Sequence, residues 1–128
     1  VAAAISIPVA TGENEYTRYG FRDLIEARAA QYLNPDIHRC GGFSEMLKIA
    51  HLAAAYDIRI APHLVPELSI SVLVSIPNAA LVEFLAGAPE GVWEHDPVIV
   101  DGHMAPPDRP GHGMAFSAEA LKRYTVDG

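Results

Sequence analysis

The chain has 128 residues, half of them apolar and a fifth charged, with a formal net charge of −7. That balance suits one ordinary globular domain, and the acidic excess leaves no basic footprint for nucleic acid. No apolar run is long enough to span a bilayer. The single cysteine, Cys40, excludes an internal disulfide and is consistent with a reducing cytoplasm.

Val1 opens the sequence where a helix end runs into a strand, which predicts that the natural protein begins upstream. Residues 5–10 carry β-branched side chains and end at Gly12-Glu13, which predicts a strand. The stretch has no positively charged start and contains Pro8, so it is not a signal peptide. Thr17 is the predicted N-cap of a helix on which Phe21, Leu24, Ile25 and Arg28 follow at helical spacing. Tyr32 and Leu33 form a brief strand closed by Pro35-Asp36. Gly41-Gly42 breaks the chain, and Ser44 caps a helix with Leu47, Ile49, Ala50, Ala53 and Ala54 on its buried side. Residues 58–61 make the next strand, closed by Pro62-His63. Residues 67–76 make a short helix stopped by Pro77, and residues 79–84 a further strand containing Glu83. The chain then turns irregular. Residues 98–102, with Asp101-Gly102 at the turn, predict a hairpin, residues 106–113 are loop, and Ser117 caps a last helix through Leu121 and Tyr124.

Strand and helix in alternation imply an α/β fold with a parallel sheet and helical crossovers. Units spaced by about 20–27 residues suit a TIM-type barrel, which needs about 250 residues when complete, so this chain supplies about half of one. A doubly wound open sheet is the competing architecture, but its G-x-G-x-x-G phosphate turn is absent. The predicted organisation is a partial barrel over residues 1–105 and a C-terminal tail with its helix over 106–128.

Glu13, Asp36, His63 and Glu83 each stand at the C-terminal end of a predicted strand, and in a barrel those ends meet at one mouth. Desolvating four such groups is costly unless they pair or bind a metal. Together they suit removal of the weakly acidic α-proton of a carboxylic acid. That reaction needs a base near the proton and positive charge near the carboxylate, where enediolate charge builds up. His63 is the natural proton-transfer group, and Asp36 could fix its tautomer through a hydrogen bond. Glu13 could bind Mg²⁺, which takes oxygen ligands. Glu83, kept protonated, could donate a hydrogen bond to the substrate.

At these residues the sequence resembles the enolase superfamily, in particular the mandelate racemase subgroup of the mandelate racemase/muconate lactonizing enzymes. Ile7-Pro8-Val9-Ala10-Thr11-Gly12-Glu13 resembles the family's fifth-strand segment, whose glutamate is the third metal ligand. Pro35-Asp36-Ile37-His38-Arg39-Cys40-Gly41-Gly42 resembles its sixth-strand D-x-x-R-x-G-G motif, whose aspartate orients the catalytic histidine. Ala61-Pro62-His63 resembles the seventh-strand end that bears that histidine, and Asn78-Ala79-Ala80-Leu81-Val82-Glu83 the eighth-strand segment with the glutamate that steadies the intermediate. Pro107-Asp108-Arg109-Pro110-Gly111-His112-Gly113 resembles the family's P-x-x-P-G-x-G tail.

The resemblance implies the C-terminal half of a modified TIM barrel, strands 5 to 8, without the N-terminal capping domain and first barrel half. It implies Mg²⁺-dependent chemistry on a small carboxylic acid, with dehydration of a sugar acid as the first expectation. Racemisation or epimerisation of a 2-hydroxy acid is the second. The third is an inactive fragment or interaction module that associates with the missing half or with a second copy. A lysine motif and two further acidic metal ligands are expected upstream, so these 128 residues alone are expected neither to bind Mg²⁺ tightly nor to turn over substrate.

Other residues take plainer readings. Cys40 beside the glycine pair is a small core filler, Arg39 either touches substrate or braces a loop, with bracing preferred, and Asn14 and Glu15 could line the mouth. Glu67 favours the first turn of its helix, and Trp93 and Tyr16 pack. His51 lies mid-helix, exposed or partly packed, and His38, His95, His103 and His112 show no metal-ligand spacing.

Overall fold

The structure is a computed structural model, which describes residues 1–85 and 91–126. Residues 86–90, within the stretch expected to be irregular, and 127–128, at the end of the expected tail, lie outside the described residues. The chain forms two compact units, Val1–Phe84 and Leu85–Gly128. This boundary does not coincide with the one expected after residue 105. Residues 92–94 hydrogen-bond to residues 115–117 of the tail, which places them in the second unit.

In the first unit three two-residue strands pair in parallel in the order β1 (Ala10–Thr11), β2 (Tyr32–Leu33) and β3 (Arg59–Ile60). Ala10 lies opposite Tyr32, and Leu33 opposite Ile60. A parallel bridge from Ile60 to Ala79 continues the sheet by one position. The crossovers are α1 (Thr17–Glu26), then α2 (Ile37–Cys40) with α3 (Gly42–Ala54), followed after β3 by α4 (Pro66–Leu73). This is the α/β architecture with parallel strands and helical connections that the sequence pattern implies.

The core follows from helical periodicity. Met46, Ile49, Ala50 and Ala53 of α3 recur at a spacing of three and four and are fully buried. They pack with Phe21 and Ile25 of α1 and with Leu33 and Ile60 of the strands. Leu47 and Ala54, expected on the same face, are only half-buried, while His51 opposite is exposed.

Four local expectations are corrected. Residues 5–9 form no strand: Ile5 and Ile7 are exposed, and Pro8 brings no N–H to a ladder. Residues 80–84 form none either, because pairing stops with the Ala80 amide on Ile60 O. Tyr16, not Thr17, is the N-cap of α1 and gives no side-chain bond; Glu45 of α3 supplies one instead, accepting from the Arg18 amide at 3.0 Å. Gly41, not Ser44, precedes α3. Its φ of 116° lets one residue end α2 and begin α3, a left-handed backbone that glycine adopts without strain.

In the second unit β4 (Ile99–Val100) and β5 (His103–Met104) form the expected hairpin, with Asp101 and Gly102 both at positive φ as a two-residue turn requires. Trp93 stacks on Phe116 at 4.9 Å. Ser117 caps α5 (Ala118–Tyr124), its side chain accepting from the Ala120 amide.

Candidate active site

Each of the four residues follows a strand or bridge of the first unit, and local backbone chemistry sets where each one points. After β1, residues 12–15 form a tight turn closed by the Glu15 amide on Gly12 O at 3.0 Å, with Glu13 and Asn14 at its centre. Gly12 has φ 126°, and a Cβ there would lie 2.6 Å from Phe21 Cε1, so neither the turn nor the packing beneath it tolerates a side chain. The Glu13 side chain is half exposed.

Asp36 follows β2 and caps α2. Its Oδ1 accepts from the His38 amide at 2.8 Å and the Arg39 amide at 3.2 Å. Its Oδ2 faces His63 Nδ1 at 3.1 Å. Only 5% of the residue is exposed. Burial pushes the carboxyl up, but the bonds from His63 and from the His38 and Arg39 amides outweigh it and hold Asp36 below the usual carboxylate range. The sheet itself carries this pair. The His63 amide donates to Pro35 O, and residues 36 and 63 form a parallel bridge one step beyond β2 and β3.

An ionised carboxylate only accepts hydrogen bonds, so His63 carries its ring proton on Nδ1 and directs Nε2 away from Asp36. Nε2 lies 3.5 Å from Glu13 Oε2, a contact that attracts only when the ring is also protonated there. Glu83 completes the group. Its Oε2 accepts from the Leu64 amide at 2.8 Å, and Oε1 has no hydrogen bond among the described residues. Leu64 and Val65 both take left-handed backbone, φ 49° and 44°, turning the chain after His63 so that this amide meets Glu83. The apolar residues beside Glu83 do not desolvate it: Leu81 and Phe84 are exposed, and the carboxylate finds its partner in a backbone amide.

The structure therefore brings Glu13 and Asp36 onto the two nitrogens of His63 and ties Glu83 to the residue beside it. Sequence reading missed the Leu64 amide, because a left-handed leucine leaves no compositional mark. Arg39 braces, as expected: its Nη1 bonds Asn14 Oδ1, and its Nε stands 4.0 Å from Asp36 Oδ2. Cys40 is fully buried, and burial pushes its thiol up to about 11, which suits core filling.

Among the described residues no group of three or more His, Cys, Asp and Glu side chains is arranged to hold a metal ion. Glu13 offers a hard, half-exposed oxygen donor of the kind Mg²⁺ takes, and Mg²⁺ demands near-octahedral coordination. It fits as one ligand of such an ion and is not a site by itself.

A parallel βα sheet with acids and a histidine gathered beyond its strand ends matches the arrangement at the C-terminal face of a TIM-type barrel. The chain belongs to the family described as Enolase C-terminal domain-like, whose model matches residues 1–120; its structural neighbours include mandelate racemase/muconate lactonizing enzymes. It is similar to the D-xylonate dehydratase of Haloferax volcanii, 36% identical over all of this chain and 33% of that protein. It is similar also to the 3,6-anhydro-alpha-L-galactonate cycloisomerase of Streptomyces coelicolor, 31% identical over 92% of this chain and 33% of that protein. Among solved structures it resembles the L-talarate dehydratase of Polaromonas sp. JS666, complexed with Mg and L-glucarate. There the TM-score is 0.84 at 35% identity, covering 98% of this chain and 35% of that one. The chain thus spans about a third of the length of these relatives. No described helix is long and apolar enough to cross a membrane.

Proposed function

We propose that this chain supplies the proton-transfer part of an enzyme that removes the α-proton of a sugar acid and dehydrates it. The observation that carries this reading is the orientation of His63, gripped at Nδ1 by Asp36 with Nε2 turned toward Glu13. Nε2 takes the α-proton, and the anion of Asp36 steadies the imidazolium that results. Electrons from the broken C–H bond move into the carboxylate to form an enediolate. Their return expels the β-hydroxyl, which leaves as water with the proton His63 delivers, and the enol rearranges to a 2-keto-3-deoxy acid. Glu83 is anchored by the Leu64 amide at Oε2, which leaves Oε1 available to the substrate. Glu13 is one ligand of a Mg²⁺ ion that, when bound, supplies positive charge beside that carboxylate. Because one carboxylate is a poor Mg²⁺ site, the 128 residues alone are inactive and bind the ion weakly.

Dehydration is preferred because two of the relatives above are sugar-acid dehydratases. The test is a sugar-acid library offered to the full-length gene product, with 2-keto acid formation as the readout. His63→Asn should lower turnover by about 10²–10⁴. Turnover undiminished by that change would exclude His63 as the base, and α-exchange without keto acid would move the reading to racemisation.

A further inference from the structure

Arg39 and Asn14 lie on different connections, α2 and the turn after β1, and meet beside the site. Arg39 Nη1 donates to Asn14 Oδ1, while the Arg39 amide donates to Asp36 Oδ1 at 3.2 Å. One residue therefore holds the His63 partner through its backbone and the Glu13 turn through its side chain. Asn14 is the second central residue of that turn, and Glu13 is the first. The base of the turn is held by Gly12 packing on Phe21 and by the Asn34 amide on Thr11 O at 2.9 Å, whereas its tip is open. Glu13 is half exposed, Gly12 adds no side chain, and the closing bond from Glu15 is local to the turn. At the centre of the turn, a side-chain bond to the neighbouring connection is supplied by Arg39, which donates to Asn14.

We propose that Arg39 and Asn14 form a positioning pair that sets the separation between Glu13 and the Asp36–His63 dyad. The pair thereby places the Glu13 carboxylate where a metal ion can take it. Neither residue is catalytic: Arg39 acts on the site through Asn14, and Asn14 through the turn it shares with Glu13. Pinning a ligand from outside the coordination sphere is how such residues govern metal affinity, with losses of about 10–100-fold on their removal. Distance explains the sensitivity. Glu13 Oε2 is 3.5 Å from His63 Nε2, a separation that a turn released to move by an ångström would not keep.

The inference rests on the proposed role of Glu13, so the experiment includes that residue. In the full-length gene product, Mg²⁺ affinity is measured by calorimetry for Arg39→Ala, Asn14→Ala, the double variant, Arg39→Lys and Glu13→Gln, with folding checked by circular dichroism. Arg39→Ala and Asn14→Ala should each weaken Mg²⁺ binding by about tenfold. The double variant should be no worse than the poorer single, and Arg39→Lys, which keeps a donor for Asn14, should recover most of the loss. If Glu13→Gln weakens binding while Arg39→Ala and Asn14→Ala do not, the positioning pair is wrong and the ligand role stands. Additive losses in the double variant, or no recovery by lysine, also overturn the pairing. If Glu13→Gln leaves binding intact, the ligand role fails and takes this inference with it.

Discussion

Replacing Asp36 by asparagine and by alanine separates what that residue does for the fold from what it does for His63. Its carboxylate, 5% exposed, accepts three hydrogen bonds: two from the amides that open α2 and one from the ring. Alanine loses all three. The lost cap is worth about 1 kcal/mol, and the bond between the ring and a charged group about 1.5–3 kcal/mol. The expected destabilisation is about 3 kcal/mol, read as a shift in the urea unfolding midpoint. Asparagine keeps an oxygen for the two amides and turns its NH₂ toward His63, so the loss should be about 1 kcal/mol. That NH₂ forces Nδ1 to accept and moves the ring proton to Nε2. Histidine ¹⁵N spectra at neutral pH should show the Nδ1–H tautomer in the parent chain and the Nε2–H tautomer in Asp36→Asn. Folding lowers the Asp36 pKa, so its contribution is complete above the ordinary carboxylate value of about 3.9 and is lost as pH falls through the lower folded value. The parent should therefore lose more stability than Asp36→Asn as the pH falls below about 4. An unchanged tautomer in Asp36→Asn, or equal destabilisation by asparagine and alanine, would refute this account of the dyad.

Cys40, fully buried with its thiol pushed up to about 11, should resist iodoacetamide at pH 8 in the native chain and react on unfolding; rapid native labelling would contradict its burial. Gly12→Ala should cost about 3 kcal/mol in urea unfolding, since it adds strain at φ 126° and a clash with Phe21, and an unchanged midpoint would show that the turn is looser than described. Asn78→Ala should cost about 1–2 kcal/mol, because Nδ2 donates to Ala50 O and Ile58 O and ties the α3 helix to the entry of β3. A change of a few tenths would mean that water replaces both bonds.

How much of this was legible in the sequence depends on the kind of signal. Apolar spacing gave α1, α3 and α4 to within a few residues, and the site residues were visible as ionisable groups ending apolar runs. The β-strand lengths were not legible. Residues 5–9 and 80–84 have strand composition, yet β-structure needs a partner, and composition does not say where pairing stops. Caps supplied from a distance were equally invisible: Glu45 opens α1 from 27 residues away, a contact that only the packing of α1 on α3 creates. The Leu64 amide on Glu83 depends on two left-handed residues of a type that rarely adopts that backbone, so nothing in their identity announces it.

The most direct test of the central claim, that His63 exchanges a proton with the α-carbon of a sugar acid, is incorporation of solvent deuterium. The full-length gene product would be incubated with a turned-over sugar acid in D₂O and the remaining substrate and product read by ¹H NMR. The account predicts deuterium delivered to carbon by the parent protein and none by His63→Asn. Exchange that survives the loss of this imidazole would contradict it.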